Sequence, residues 1–228
     1  MKIFDRPGFP NPARIRIVLA EKQIDSKVEF VPIDLIGAEH KSPAFLQKNP
    51  SGVLPVLELD DGTHISESTA ITEYLDHLDG NPTLTGTTPR QRALIHMMQR
   101  RAEAELLDPV GDYFHYATPG LGPQLQAFKS LDWSGRDEWG RRQGERARAG
   151  MTYFNGVLER QPYVAGDAFS MADITVFVGL MFAGAAGITI PGDYAALVAW
   201  RTRVADLPSV KHRSGQAFLA DDARRLGL

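Results

Sequence analysis

The hydrophobic positions of the first eighty residues switch back and forth between strand and helix periods. Lys2–Asp5 (KIFD) reads as a short strand, and Asn11-Pro12 opens a helix that sets Ile15, Val18 and Leu19 three and four residues apart on one face. Lys27–Ile33 (KVEFVPI) alternates polar and apolar positions like a half-buried strand. A short helix over Pro43–Lys48 comes next, and residues 49–65 (NPSGVLPVLELDDGTHI) read as two strands joined by a turn at Asp61-Gly62. A helix from Glu67 to Leu78 aligns Ala70, Ile71, Tyr74, Leu75 and Leu78. The order βαβαββα predicts a sheet flanked by helices, with one parallel pair from the first crossover.

The pattern changes at Asp79-Gly80-Asn81-Pro82. Residues 81–89, rich in Gly, Pro and Thr, read as a linker. Beyond it the period is helical: Gln91–His115, Asp137–Glu159, Met171–Ala186 and Tyr194–Ala205, with Gly120–Ser134 a looser connection. The expectation is an α/β domain over residues 1–80 and an all-α domain over residues 90–228. Ile174–Gly192 carries no charge, but Gly179, Gly184 and Gly187 interrupt it and Pro191 ends it, so it reads as a buried helix rather than a membrane span. The opening MKIFDRPGFP lacks the apolar core of a signal peptide, and a cytoplasmic location is expected.

Composition narrows the chemistry. The 228 residues are 43% hydrophobic and carry a formal net charge of −3, which suits a folded globular chain. No cysteine is present, which excludes disulfides, thiolate-ligated metal sites and a cysteine nucleophile. The first eighty residues hold 8 basic and 13 acidic side chains, whereas the remainder holds 17 and 15. The densest basic stretch, Arg136–Arg148, is interleaved with Asp137, Glu138 and Glu145, so it reads as a solvated helix face and no nucleic-acid partner is expected. The six histidines show no ligand spacing, and no metal is expected.

Three segments carry chemical signals. In Asn11-Pro12-Ala13-Arg14, asparagine is a favoured N-cap and proline a favoured first helical residue. The same helix start, right after the first strand, turns free amides and a positive dipole end toward any anion placed there. In Gly52-Val53-Leu54-Pro55-Val56 a proline starts a strand, which suits an edge or first position. In Ser66-Glu67-Ser68-Thr69 a hydroxyl can cap the next helix, or the segment can present amides, a hydroxyl and a carboxylate to a zwitterionic ligand. Arg14 and Arg16 add positive charge and read equally as helix-surface residues.

Taken in this order, NPSGVLPVLELDDG, ISESTAITEYL and the later FSMADITVF resemble the glutathione transferase superfamily over nearly the whole chain. The resemblance implies a thioredoxin-like N-terminal domain, an all-helical C-terminal domain and a homodimer. In FSMADITVF, Ser170 and Asp173 form a capping box, with Phe169 and Ile174 as a hydrophobic staple, and their implied role is structural. By the same resemblance, Leu54 before the family's cis-proline (Pro55) would pair its backbone with the cysteinyl unit of glutathione. Glu67 would face the γ-glutamyl amino group, Ser68 the carboxylate, and His40 or Lys41 the glycyl carboxylate. Val53 stands where many relatives place a lysine.

The sequence departs from the pattern in RPGFPNPAR, where Phe9 stands at the serine-type hydroxyl position and Asn11 is the nearest polar donor to the sulfur. A thiol of pKa about 8.5 is mostly protonated at neutral pH, and helix-end amides plus one donor lower it by about one unit. An electrophile pocket is expected between the domains at Tyr113, Phe114, Tyr116 and Arg101, with Met97 and Met98 upstream, although most of these residues read more readily as helix–helix core; Trp133, Trp139 and Trp200 read as core or interface. The resulting expectation is a glutathione transferase acting on a small hydrophobic electrophile in a detoxification role. The alternatives are a glutathione-dependent disulfide reductase or peroxidase, and a non-catalytic binding protein of the same fold.

Overall fold

The computed structural model describes residues 1–122, 125 and 136–226; the predicted connection Gly120–Ser134, and with it Trp133, lies mostly outside them. A four-stranded mixed sheet forms the first domain: β1 Lys2–Asp5, β2 Glu29–Pro32, β3 Val56–Glu58 and β4 His64–Ser66, in the order β2-β1-β3-β4. β1 runs parallel to β2 and antiparallel to β3, which pairs antiparallel with β4. Three helices attach to this sheet: α1 Pro10–Lys22, α2 Pro43–Leu46 and α3 Ser68–His77. Successive strand residues point to opposite faces, so Ile3 and Leu57 join a core with α1 and α3, while Phe4 and Val56 join a second cluster with Phe9, Ile33, Phe45 and Leu54.

The second domain is helical: α4 Pro89–Ala102, a π-helical turn Glu103–Leu107, α5 Asp108–Ala117, α6 Arg136–Leu158, α7 Met171–Ala185, α8 Ala195–Ala205, α9 Pro208–Lys211 and α10 Ala220–Leu226. The first core cluster continues into it through Leu106, Val178 and Leu180, so the two domains share one apolar interior. No helix of the described residues is long and apolar enough to cross a membrane.

The single helix predicted over Gln91–His115 is broken by the π-turn. The cause is Pro109, which lacks the amide proton that would bond the Glu105 carbonyl and whose ring would strike that carbonyl in a regular helix. That carbonyl faces α6, where a Cβ on Gly150 would lie 2.1 Å from it, so only glycine lets the two helices approach this closely.

Residues 81–89 are tied down. The fully buried Asp76 carboxylate accepts hydrogen bonds from the Thr83, Leu84 and Thr85 amides and from the Thr85 hydroxyl at 2.8–3.0 Å. Lys22 Nζ stands 3.4 Å from the same carboxylate. Thr88 and Gln91 then start α4 with a capping box.

Ser170 and Asp173 nucleate α7. The Asp173 carboxylate accepts from the Ser170 amide (3.0 Å), the Ser170 hydroxyl (2.9 Å), the Val164 amide (2.8 Å) and the Trp200 indole (3.0 Å). One side chain thereby ties together the start of α7, the preceding loop and α8. Burial pushes its pKa up to about 6 against these hydrogen bonds. Trp200 is core, as expected, whereas Trp139 is exposed and donates to Asp112 at 3.3 Å. Asp173→Asn replaces a four-fold acceptor by an amide that must turn a donor toward other donors. It is expected to lower stability by about 2–4 kcal/mol, measured by chemical denaturation.

Candidate functional site

The start of α1, the β3 approach, the α3 start and the α4–α5 junction converge on one cleft of about 210 Å³. It is lined by Asn11, Arg14, Val53, Leu54, Pro55, Glu67 and Ser68 from the first domain, and by Arg100, Glu103, Leu107 and Asp108 from the second. The Leu54–Pro55 peptide bond is cis. Leu54 buries its side chain with Phe4, Phe45 and Val56, so its backbone is what it offers the cleft.

The loop that carries Leu54 is held from beneath. Asn49, almost fully buried, donates to the Val53 carbonyl (2.9 Å) and accepts from the Ser51 amide (3.1 Å). Lys41 Nζ donates to the Gly52 carbonyl at 2.6 Å. Gly52 sits at φ 56°, and a Cβ there would come within 2.9 Å of the His40 carbonyl, so both the turn and the close approach require glycine. Neither His40 nor Lys41 lines the cleft. His40 is buried with its Nδ1 unpartnered, and burial, aided by the charge of Lys41, lowers its pKa to about 4.

Both expected caps prove to be otherwise. α1 begins at Pro10, so Phe9 occupies the cap position in extended conformation, without a side-chain cap. Asn11 is instead the second helical residue. It lines the cleft, and its Oδ1 accepts from Arg14 Nη1 at 3.4 Å. The Phe9 ring turns away into the second hydrophobic cluster, edge-on to Phe218 at 5.2 Å. At α3, Ser66 ends β4 and Glu67 takes the cap position with φ 67° and ψ 117°, again without a side-chain cap. Such a backbone costs a non-glycine residue about 1–3 kcal/mol and is found where a functional site fixes the chain. Ser68 is the first helical residue and is buried at the cleft wall.

Arg14 and Arg16 are not surface residues; both are about nine-tenths buried. Arg16 pairs with Asp5 (2.7 Å). Arg14 Nη2 donates to Glu103 Oε1 at 2.9 Å and to Thr69 Oγ1 at 3.3 Å. The same Glu103 oxygen accepts from the Thr69 hydroxyl (2.8 Å) and from Gln99 Nε2 (3.0 Å), and Thr175 of α7 donates to Gln99 Oε1 at 2.9 Å. This network reaches the cleft through Arg14 and Glu103 and joins α1, α3, α4, the π-turn and α7.

The aromatic cluster expected to receive an electrophile lies elsewhere. Tyr113 packs so tightly on α6 that a Cβ on Gly144 would lie 2.7 Å from its ring, and Tyr116 abuts Gly140 in the same way. Phe114 stacks edge-on with Phe182 at 5.2 Å, and Arg101 donates to the Tyr153 hydroxyl at 2.6 Å on the far side of α4. None of the four lines the cleft. The second-domain residues that do line it, Arg100, Glu103, Leu107 and Asp108, flank and span the π-turn at helical spacing, but three of them are charged, so the apolar period passes over them. Pro109 is the sequence signal that marks this turn. Among the described residues, no group of three or more metal-ligating side chains stands together.

The buried, neutral His40 gives a pH test. Its folded pKa of about 4 lies below the ordinary 6.5, so as pH falls the unfolded chain takes up the proton first and stability is lost between those values. His40→Leu removes this dependence. The stability difference between variant and wild type is expected to shift in the variant's favour by roughly 2 kcal/mol between about pH 7.5 and about pH 4.5, read by chemical denaturation.

Comparison with known proteins gives the same outline. Residues 10–78 match the model of the glutathione S-transferase N-terminal domain, and residues 142–208 that of the C-terminal domain. Glutathione S-transferase 2 of Saccharomyces cerevisiae is 57% identical over 211 residues, covering 92% of this chain and 88% of that protein. The crystal structure of Gtt2 from Saccharomyces cerevisiae superposes with a TM-score of 0.89 at 57% identity, covering 93% of this chain and 99% of that one. A glutathione S-transferase domain-containing protein from Marinobacter aquaeolei VT8 gives a TM-score of 0.87 at 51% identity, covering 92% and 100%. With this fold, this cleft and these relatives, the chain belongs to the glutathione S-transferase family.

Proposed function

We propose that the chain is a glutathione transferase that binds the tripeptide in the cleft at the domain seam and activates its thiol for attack on a small electrophile. The observation that carries this reading is the convergence of Leu54 beside the cis Pro55, Glu67, Ser68 and the first turn of α1 on one cleft. In this reading the Leu54 backbone pairs with the cysteinyl unit, the Glu67 carboxylate takes the γ-glutamyl amino group, and the Ser68 hydroxyl with the α3 amides takes the γ-glutamyl carboxylate. Lys41 acts through the loop, by holding Gly52, rather than by touching the ligand.

The sulfur chemistry falls to α1. Phe9 has no donor side chain and Pro10 and Pro12 have no amide proton, so the Asn11 backbone and side-chain amides, aided by the positive end of α1, stabilise the thiolate as its proton leaves. The thiolate electron pair then forms a bond to the electrophilic carbon, and the leaving group departs with the bonding pair. Holding both partners in the cleft adds the proximity gain. The reading further includes a homodimer in the cytoplasm serving detoxification, as two-fold dimers are the commonest assembly.

Calorimetry with glutathione, followed by parallel assays of chloro-nitroaromatic conjugation, peroxide reduction and disulfide exchange, tests the proposal. Conjugation is expected to dominate; absence of millimolar glutathione binding, or dominant disulfide exchange, overturns it. Ser68→Ala is expected to weaken glutathione binding about tenfold, the loss of one charge-assisted hydrogen bond. Asn11→Ala is expected to raise the pKa of the bound thiol, read by thiolate absorbance, with little change in affinity. Glu67→Gly separates structure from binding: stability is expected to rise by about 1 kcal/mol as the positive φ is relieved, while glutathione affinity falls.

A further inference from the structure

The loop Arg6–Phe9 delivers the first turn of α1 to the cleft, and its outside anchors come from one remote segment. Arg6 Nε and Nη2 each donate to an oxygen of the Asp222 carboxylate at 2.6 Å, a two-pronged pair in which Asp222 is fully buried. The Gly8 amide donates to the Gly215 carbonyl at 3.0 Å. Gly8 sits at φ 84°, and a Cβ on it would meet the Phe218 ring at 2.6 Å. The Phe9 ring stands edge-on to Phe218, at an interplanar angle of 84°. Two further ties flank the loop: Arg16 Nη1 donates to the Ser214 hydroxyl at 2.9 Å, and Arg225 donates to both oxygens of Asp34 at 2.9 Å.

We propose that residues 214–225 act as a strap that sets the position of the α1 N-terminus, with Asp222 as a positioning residue for thiol activation; the proposal rests on the glutathione reading of the cleft. Asp222 lies on α10, 216 positions from Arg6, and does not line the cleft. Its effect is transmitted through Phe9, whose carbonyl accepts the first helical hydrogen bond of α1 from the Ala13 amide at 3.0 Å. A shift of this loop moves the positive end of α1 and the Asn11 backbone and side-chain amides that would face the sulfur. It leaves Leu54, Glu67 and Ser68, which belong to other elements, in place. The strap therefore governs the reactivity of the bound thiol and not the binding of the peptide around it.

Bidentate geometry makes the pair sensitive to shape as well as charge. Asp222→Asn keeps the size of the side chain but turns a donor toward the guanidinium. In the full-length protein it is expected to lower kcat for conjugation about tenfold or more, the scale of a loosened reacting geometry, with KM for glutathione within about twofold of wild type. The pKa of the bound thiol is expected to rise by about one unit, the share assigned to the helix-end donors. Asp222→Glu restores the charge and is expected to recover part of both losses. Phe218→Ala removes the ring contact at a partly buried position and is expected to shift kcat and thiol pKa in the same direction by a smaller factor.

Folded variants with wild-type kcat and thiol pKa overturn the proposal, as does a loss carried by KM at unchanged thiol pKa. Hydrogen exchange gives a readout independent of glutathione. Asp222→Asn is expected to speed exchange at the Gly8 and Ala13 amides while leaving the α3 amides unchanged, and uniform acceleration across both helices overturns the strap. If wild-type protein fails to bind glutathione, the functional reading falls, and the exchange result still decides whether the strap holds the loop.

Discussion

The ion pair between Arg14 and Glu103 is the constraint around which the two domains are arranged. Moving a guanidinium and a carboxylate out of water costs several kcal/mol for each ion, and their attraction offsets that cost only when the geometry is good and the remaining donors and acceptors are used. Here they are: one Glu103 oxygen collects hydrogen bonds from Arg14, Thr69 and Gln99, which come from three different helices. Displacing the second domain would strand a buried charge. The relative position of α1, α3 and the π-turn is thereby fixed, and so is the cleft whose walls they form. Apolar burial across Leu106, Val178 and Ile71 contributes the bulk of the attraction but has no direction of its own. The polar network supplies the direction.

The chain reuses this device at other depths. Asp76 holds the connection at Thr83–Thr85, Asp173 holds the start of α7, and Asp222 holds the loop before α1; each is fully buried and each accepts at least two hydrogen bonds. A buried carboxylate has no use for an approximate partner. These three points are therefore rigid, while the open face of the cleft keeps exposed residues such as Val53 and Asn11.

What the sequence reveals depends on the distance between the interacting residues. Ser170 and Asp173 lie three apart, so their capping box stands out in a short window, as do the βαβ pattern and the Asp61-Gly62 turn. The segments around Leu54 and Ser68 are each weak signals alone, since a proline at a strand start and a serine at a helix start are ordinary; their order along the chain is what carries the resemblance. Arg14 was not, since nothing within ten residues of it shows that a carboxylate 89 positions away will bury it. The helix caps differ from expectation for a subtler reason. Asn11 and Ser66 have the right chemistry for a cap, but Pro10 and the β4 pairing shift each helix start by a residue or two. Tyr113 and Tyr116 sit in an apolar period shared by core and pocket, and only the small residues Gly140 and Gly144 on α6, outside any local window, show that they pack against that helix.

The strap also bears on how the molecule is made. A polypeptide leaves the ribosome from its amino end, and a first domain ordinarily folds before the rest has been synthesised. In this chain the sheet and α1 can assemble early, but Arg6 waits for a carboxylate translated 216 residues later, and the Gly8 amide waits for the Gly215 carbonyl. Until then the loop that would activate a thiol is unfinished. The cleft is equally incomplete at that stage, because Arg100, Glu103, Leu107 and Asp108 of its lining belong to the second domain.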